Sequence, residues 1–311
     1  MSEAAARIAG EVVRTRLVRS EPLSERLGVA VHLKLECEQE TGSFKLRGAA
    51  NTLLSLTPDE RERGVVAVSS GNHGRAVAHM ASRLGIEAIV CLSERVPANK
   101  REAIATLGAT VVVAGPDQDD ADREARDLVD EMGLVFVHPF DDPRVIAGQG
   151  TVGLEIAGDL PGVASAVVPL SGGGLISGVA LGLRAGGARA EVHGVSQERG
   201  PAMHESLRAG RLVEVTESDT LADALAGGLG PENRHTLALC RALLASTVLV
   251  SEEQIAGAMR FLHAEEGITV EGGGAVGVAA LLAGRLDLPG PVVVVVSGGN
   301  IGADVLERVL A

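Results

Sequence analysis

Five consecutive valines, Val292–Val296, constrain this 311-residue sequence more than any other feature. A β-branched run of this kind reads as a strand, and a strand with no polar face must be covered on both sides. Similar short runs recur at Val31–Leu35, Val65–Val68, Ala88–Leu92, Thr110–Val113, 166–169 and 247–250, separated by stretches with helical spacing. The alternation predicts an α/β fold whose parallel sheets carry helices on both faces. Two helix starts are explicit. Thr57-Pro58-Asp59-Glu60 and Ser251-Glu252-Glu253-Gln254 each place a capping hydroxyl three residues ahead of a Glu or Gln. Ile255, Met259 and Leu262 then continue the second helix as a core stripe.

Composition narrows the function. At 46% apolar the chain can bury a large core, and the valine run is far shorter than the roughly 20 residues that cross a bilayer. With no basic-apolar leader at the start, a soluble cytoplasmic protein without membrane contact is expected. Cys37, Cys91 and Cys240 are odd in number and far apart, matching neither a disulfide framework nor a zinc pattern. A net charge of −13 with no basic stripe argues against nucleic acid. There is no Trp or Tyr to form an aromatic cage, whereas glycines cluster at 172–174, 272–274 and 298–299. Such clusters suggest backbone brought close to a ligand. No repeat or linker divides the chain, so the turn-rich segment from His138 to Pro143 is the natural break between two α/β stretches.

Four segments could carry chemistry. Thr41-Gly42-Ser43-Phe44-Lys45-Leu46-Arg47-Gly48 runs from a turn into a helical pattern, with Lys45 flanked by Phe44 and Leu46. Desolvation and the positive helix N-terminus would favour a neutral, nucleophilic amine there, although the segment alone also fits a solvated lysine. Ser69-Ser70-Gly71-Asn72-His73-Gly74 follows a strand and opens a helix, a suitable place for a carboxylate or phosphate. Ser171-Gly172-Gly173-Gly174-Leu175 does the same and reads as a phosphate cup, but it is neither a dinucleotide fingerprint nor a P-loop. Ser297-Gly298-Gly299-Asn300 ends the valine strand, where ligands bind in open α/β sheets. Each segment alone also fits an ordinary strand-to-helix turn.

Together and in this order, the four segments closely resemble the fold-type II pyridoxal-phosphate family of serine/threonine dehydratases and serine racemases, over nearly the whole chain. The resemblance implies a tryptophan-synthase-β-like fold of two α/β domains with pyridoxal 5'-phosphate in the cleft between them. Residues 1–38 and 146–311 would form the large domain and 39–145 the small one, with no C-terminal regulatory domain. It further implies that Lys45 holds the cofactor as a Schiff base beside Phe44 and that Asn72 bonds the ring hydroxyl. Ser171, Gly172, Gly173, Gly174 and Leu175 would hold the phosphate, and Ser297 would bond the pyridine nitrogen, with Glu271 also near the cofactor. Ser69, Ser70, Gly71, Asn72 and His73 would surround the substrate carboxylate.

The implied reaction is β-elimination from a small hydroxy amino acid such as threonine or serine, giving a 2-oxo acid (or enamine) and ammonia, by a catabolic homodimer. An amino-acid racemase using Ser70 as a second acid is the alternative, and a non-catalytic ligand-binding homologue is the alternative of another class. Several positions depart from the family pattern. Arg75 replaces a common Gln, Ser171 the first Gly of the cup, Gly272-Gly273 a Pro-Ser after Glu271, and Ala224 a Gly. Ser196 and Ala202 stand where metal-dependent racemases bind a divalent ion, so no metal is expected, with only Glu198 nearby. Arg75 and the 197–204 stretch resemble the branch associated with hydroxyectoine breakdown, and Arg75 is a candidate substrate contact.

Overall fold

The computed structural model describes residues 1–69, 71–96, 98–116, 118–216, 218–230 and 232–311. Among them the strands are β1 (Leu17–Arg19), β2 (Val31–Leu35), β3 (Val65–Val68), β4 (Ala88–Leu92), β5 (Thr110–Val113), β6 (Val135–Phe136), β7 (Ser165–Pro169), β8 (Glu191–Gln197), β9 (Ser246–Val250) and β10 (Val292–Val296). They form a large sheet of order β1-β2-β10-β7-β8-β9 and a small sheet of order β5-β4-β3-β6. Every neighbouring pair is parallel except β1 with β2.

The valine strand is central and buried on both faces. Val292, Val294 and Val296 pack into one core with Met259 and Leu262, while Val293 and Val295 pack into another with Ile156, Val179 and Leu183. Burying each such side chain contributes roughly 1.5–3 kcal/mol relative to exposure. In the small sheet β3 divides its side chains in the same way, Val65 and Ala67 to one side and Val66 and Val68 to the other. Two-sided cover fails at the edges. Thr110 and Val113 of β5 are exposed and most of β9 is only half-buried, because each strand has one neighbour. Three strands lacked a clear signal. β1 and β6 are very short, and β8 contains His193, Ser196 and Gln197. These polar side chains find partners inside: His193 Nδ1 meets Ser246 Oγ at 2.9 Å, although its Nε2 is buried without a hydrogen-bond partner among the described residues, and Ser196 Oγ donates to Gln197 Oε1 at 3.0 Å. Both capping boxes are present, at Thr57 with Glu60 and at Ser251 with Gln254.

Strand order decides which loops meet. Because β7 and β10 are neighbours, the 171–174 turn and Ser297 lie side by side at their C-terminal ends. In the small sheet β3 adjoins β6, which brings the turn after Val68 beside the segment after Phe136. His73 Nε2 and the Val137 carbonyl mark that junction, 2.7 Å apart.

The helix Lys45–Leu54 is tied to the large sheet by charge. Arg47, two residues after Lys45, is fully buried and grips Glu36 with Nε and Nη2, at 2.7 and 2.8 Å. Its Nη1 and Nη2 also reach both oxygens of Glu155, on the helix Pro143–Asp159, at 2.6 and 2.8 Å. Lys34 of β2 closes the cluster, donating to Glu155 at 2.5 Å and to the Thr15 carbonyl at 2.8 Å. Burial alone would discharge Arg47, but the two carboxylates more than reverse that and raise its pKa. Two cations face two anions, so the cluster is neutral as a whole. Removing one member leaves a buried charge without its counterpart. Arg47→Met should cost about 3–5 kcal/mol in urea unfolding, and Arg47→Met with Glu36→Gln should recover part of that loss by restoring neutrality.

Candidate active site

Lys45 is the first residue of its helix and is half-buried. Nζ donates to the Pro139 carbonyl at 2.5 Å and lies 5.3 Å from the centre of the Phe44 ring. Burial lowers its pKa to about 8, so a minority of the amine is neutral near physiological pH, far more than for an ordinary lysine. Of the three lysines, Lys34 and Lys100 pair with Glu155 and Asp223, whereas Lys45 bonds a carbonyl.

The turn before Lys45 is stitched to the turn after β10. Phe44 N–H donates to the Ser297 carbonyl at 3.1 Å, Gly299 N–H to the Gly42 carbonyl at 2.9 Å, and Glu271 N–H to the Gly298 carbonyl at 3.2 Å. Ser297 is buried, and its hydroxyl makes one long bond, 3.4 Å, to the Gly273 carbonyl. The Ser43 hydroxyl is buried with no partner among the described residues.

Asn72 opens the helix Asn72–Leu84, and its Nδ2 donates to Glu271 Oε1 at 2.6 Å. Burial pushes the Glu271 carboxyl up to about 7, although the Asn72 hydrogen bond opposes the shift. His73 is buried against Val137; burial, then the Lys45 charge, lowers its pKa to about 3, so it offers no positive charge to a carboxylate. Ser69 Oγ accepts from Gly71 N–H at 3.2 Å, and Ser70 lies outside the described residues.

The cup is formed by close packing. Gly173 has φ +86°, and a Cβ there would press on Cys240 Sγ and Met203 Cε, each 2.9 Å away. A Cβ on Gly172 or Gly174 would run into Phe140. Gly174 begins the helix Gly174–Ala185, whose first N–H groups have no intrahelical acceptor. Ser171 precedes this turn, and Leu175 is buried in the first helical turn.

Phe140 was not anticipated as part of this wall. His138 Nδ1 accepts from Phe140 N–H at 3.2 Å and Asp141 N–H at 2.8 Å, and burial holds His138 near pKa 4, leaving Nδ1 able to accept. The Asp141 carboxylate then accepts from the N–H groups of Arg234, His235 and Thr236, at 2.6, 3.0 and 2.7 Å. This anchors the helix Thr236–Leu243, which supplies Cys240 behind Gly173. In the sequence the His138–Asp141 segment reads only as a turn, because its role comes from contacts with distant residues.

Arg75 faces Asn300. Its Nη1 donates to Asn300 Oδ1 at 3.4 Å, and it lines a cavity of about 270 Å³ with Gln39, Glu40, Thr41, His79 and Asn300. Glu198 is exposed, Ser196 bonds Gln197, and among the described residues no group of three or more His, Cys, Asp or Glu could hold a metal. No helix among them is long and apolar enough to cross a membrane.

Residues 8–298 match the family described as pyridoxal-phosphate dependent enzyme. The chain belongs to that family. It is 44% identical over 311 residues to an L-threonine ammonia-lyase of Thermotoga maritima, covering 100% of this chain and 77% of the relative. Among solved structures it is similar to the processed form of threonine deaminase isoform 2 from Solanum lycopersicum, at TM-score 0.92 and 34% identity, covering 99% of this chain and 90% of that one. Maize serine racemase superposes at TM-score 0.92 with 32% identity, covering 99% and 94%.

Pyridoxal phosphate is the cofactor of this family, and the residues present fit it. An amine of lowered pKa suits its aldehyde, a helix N-terminus walled by glycines suits its phosphate, and Ser297 and Asn72 could offer a hydroxyl and an amide to its ring. Since the Lys45 amine is protonated below about pH 8, capture of pyridoxal phosphate by the apoprotein should accelerate about tenfold per pH unit up to that point and then level off. A stopped-flow rate that did not change between about pH 6 and 9 would contradict this.

Proposed function

We propose that this chain is an ammonia-lyase that eliminates the β-hydroxyl of threonine, serine or a similar amino acid, giving a 2-oxo acid and ammonia. The observation that carries this reading is the half-buried Lys45, whose amine is held at the Pro139 carbonyl where the lysine turn meets the Ser297 turn. The Thermotoga maritima relative, named an L-threonine ammonia-lyase, supports the reaction class.

In this reading Lys45 would hold the cofactor, and its free amine would take the proton from the substrate Cα. A pKa lowered to about 8 leaves more of the amine free to accept a proton at neutral pH than an ordinary lysine would have. When bound, pyridoxal phosphate supplies the electron sink. The backbone N–H groups of Ser171 to Leu175 would hold its phosphate, and Asn72 would donate to its ring hydroxyl. Ser297 would offer the pyridine nitrogen a neutral hydroxyl, which, unlike a carboxylate, would not hold that nitrogen protonated and so would favour elimination over amino transfer. The turn from Ser69 to His73 receives the substrate carboxylate through N–H groups at a helix N-terminus. The protein would act as a cytoplasmic homodimer in amino-acid catabolism.

Threonine and serine should release ammonia and 2-oxo acid in equal amounts without added divalent metal. Lys45→Ala should abolish both turnover and the visible absorption of the holoprotein, which is easily seen because the chain has no Trp or Tyr. Retention of both would overturn the assignment of Lys45.

The likeness to maize serine racemase favours a second reading, racemisation with Ser70 as the acid on the opposite face. Strict magnesium dependence, or interconversion of enantiomers without ammonia, would put that reading first. A narrower substrate, a longer acidic or hydroxyectoine-derived amino acid, rests on Arg75. Arg75→Gln should then lower kcat/KM for 3-hydroxyaspartate about 10-fold more than for threonine. Equal losses would remove that substrate.

A further inference from the structure

The geometry points to Asn300 as a positioning residue that turns the donor end of the Asn72 carboxamide toward the cofactor. This rests on the reading that Asn72 meets the ring hydroxyl. A carboxamide reversed by 180° keeps its shape, so its partners decide which way it faces. Two partners of Asn300 leave no choice. Its Nδ2 donates to the Thr41 carbonyl at 2.8 Å, which can only accept, and its Oδ1 receives Nη1 of Arg75 at 3.4 Å, which can only donate. The other hydrogen of Nδ2 goes to Asn72 Oδ1 at 2.6 Å.

Asn72 must therefore turn its oxygen to Asn300 and its nitrogen the other way. One hydrogen of that nitrogen meets Glu271 Oε1 at 2.6 Å, and the second remains for the ring oxygen of the cofactor. A reversed Asn72 would set its carbonyl oxygen against that ring oxygen, acceptor against acceptor. Asn300 itself is confined. Gly42 has φ +74°, a Cβ there would fall on the Asn300 amide, and Gly299, the preceding residue, is bonded to the Gly42 carbonyl. Arg75, three residues after Asn72, lies on the same face of the helix, so both approach Asn300 from one side. The direction set by one backbone carbonyl and one guanidinium thus passes through Asn300 to the residue that meets the ring.

Asn300→Asp keeps the shape and the acceptor for Arg75 but removes both hydrogens of Nδ2. The purified holoprotein should retain full cofactor stoichiometry, because the cup and Lys45 are untouched. Its visible band should move to shorter wavelength as the donor to the ring oxygen is lost, and kcat should fall about 10- to 100-fold, as when a partner behind a site ligand is removed. Asn300→Ala should act in the same direction. In an Asn72→Ala background, Asn300→Asp should add nothing further to either readout.

If Asn72→Ala alone leaves the band unmoved, the reading of Asn72 fails and this inference falls with it. If Asn72→Ala moves the band and Asn300→Asp does not, only the role of Asn300 is wrong. Additive effects of the two substitutions would make Asn300 an independent contact, and loss of folding in both Asn300 variants would make it scaffold. Either result would overturn the inference.

Discussion

The grip of Arg47 on Glu36 and Glu155 is the interaction on which the rest of the structure depends. It lies two residues after Lys45 and reaches the end of β2 and the helix Pro143–Asp159 at once. Apolar packing of the Lys45–Leu54 helix would supply more net stability than buried charges do, because desolvation consumes most of the Coulombic gain. What packing alone does not supply is direction. A helix held by Leu46, Ala49, Ala50 and Leu53 can rotate or slide by a fraction of a turn with little loss, whereas a guanidinium bonded on several sides cannot. An amine that must meet a reacting carbon needs that precision.

Behind this anchor, the order of the strands does most of the assembly. The parallel pairing of β10 with β7 sets Ser297 beside the glycine cup, and the turn from Gly42 to Phe44 is sewn to Ser297 and Gly299 by backbone hydrogen bonds. The small sheet contributes two adjacent loops, one carrying Asn72 and the other Pro139 and Phe140. Lys45 therefore meets groups from residues nearly 100 positions away, through a carbonyl that has no side-chain signature.

How much of this was legible in the sequence follows from the same physics. The five valines, the capping residues and the four turns announce themselves locally, because a strand buried on both faces, a cap and a turn at a helix N-terminus each constrain nearby residue types. Edge strands β5 and β9 read as buried because composition does not reveal a missing neighbour. β8 was hidden by polar residues whose partners lie far away in sequence. His138, Phe140 and Asp141 carry no signal of their own, and Asn300 reads only as the last residue of a strand-end turn; each acts by holding another residue, and such contacts appear only after folding. Arg75 stands at the helix start next to the proposed carboxylate site in the sequence, and its contact with Asn300 likewise appears only after folding.

Reduction of the holoprotein with borohydride, followed by digestion and mass spectrometry, tests the central role of Lys45 most directly. The chain has three lysines, so the outcome is unambiguous. A single phosphopyridoxyl group on Lys45 is the expected result; the group on Lys34 or Lys100, or on no lysine, would contradict it.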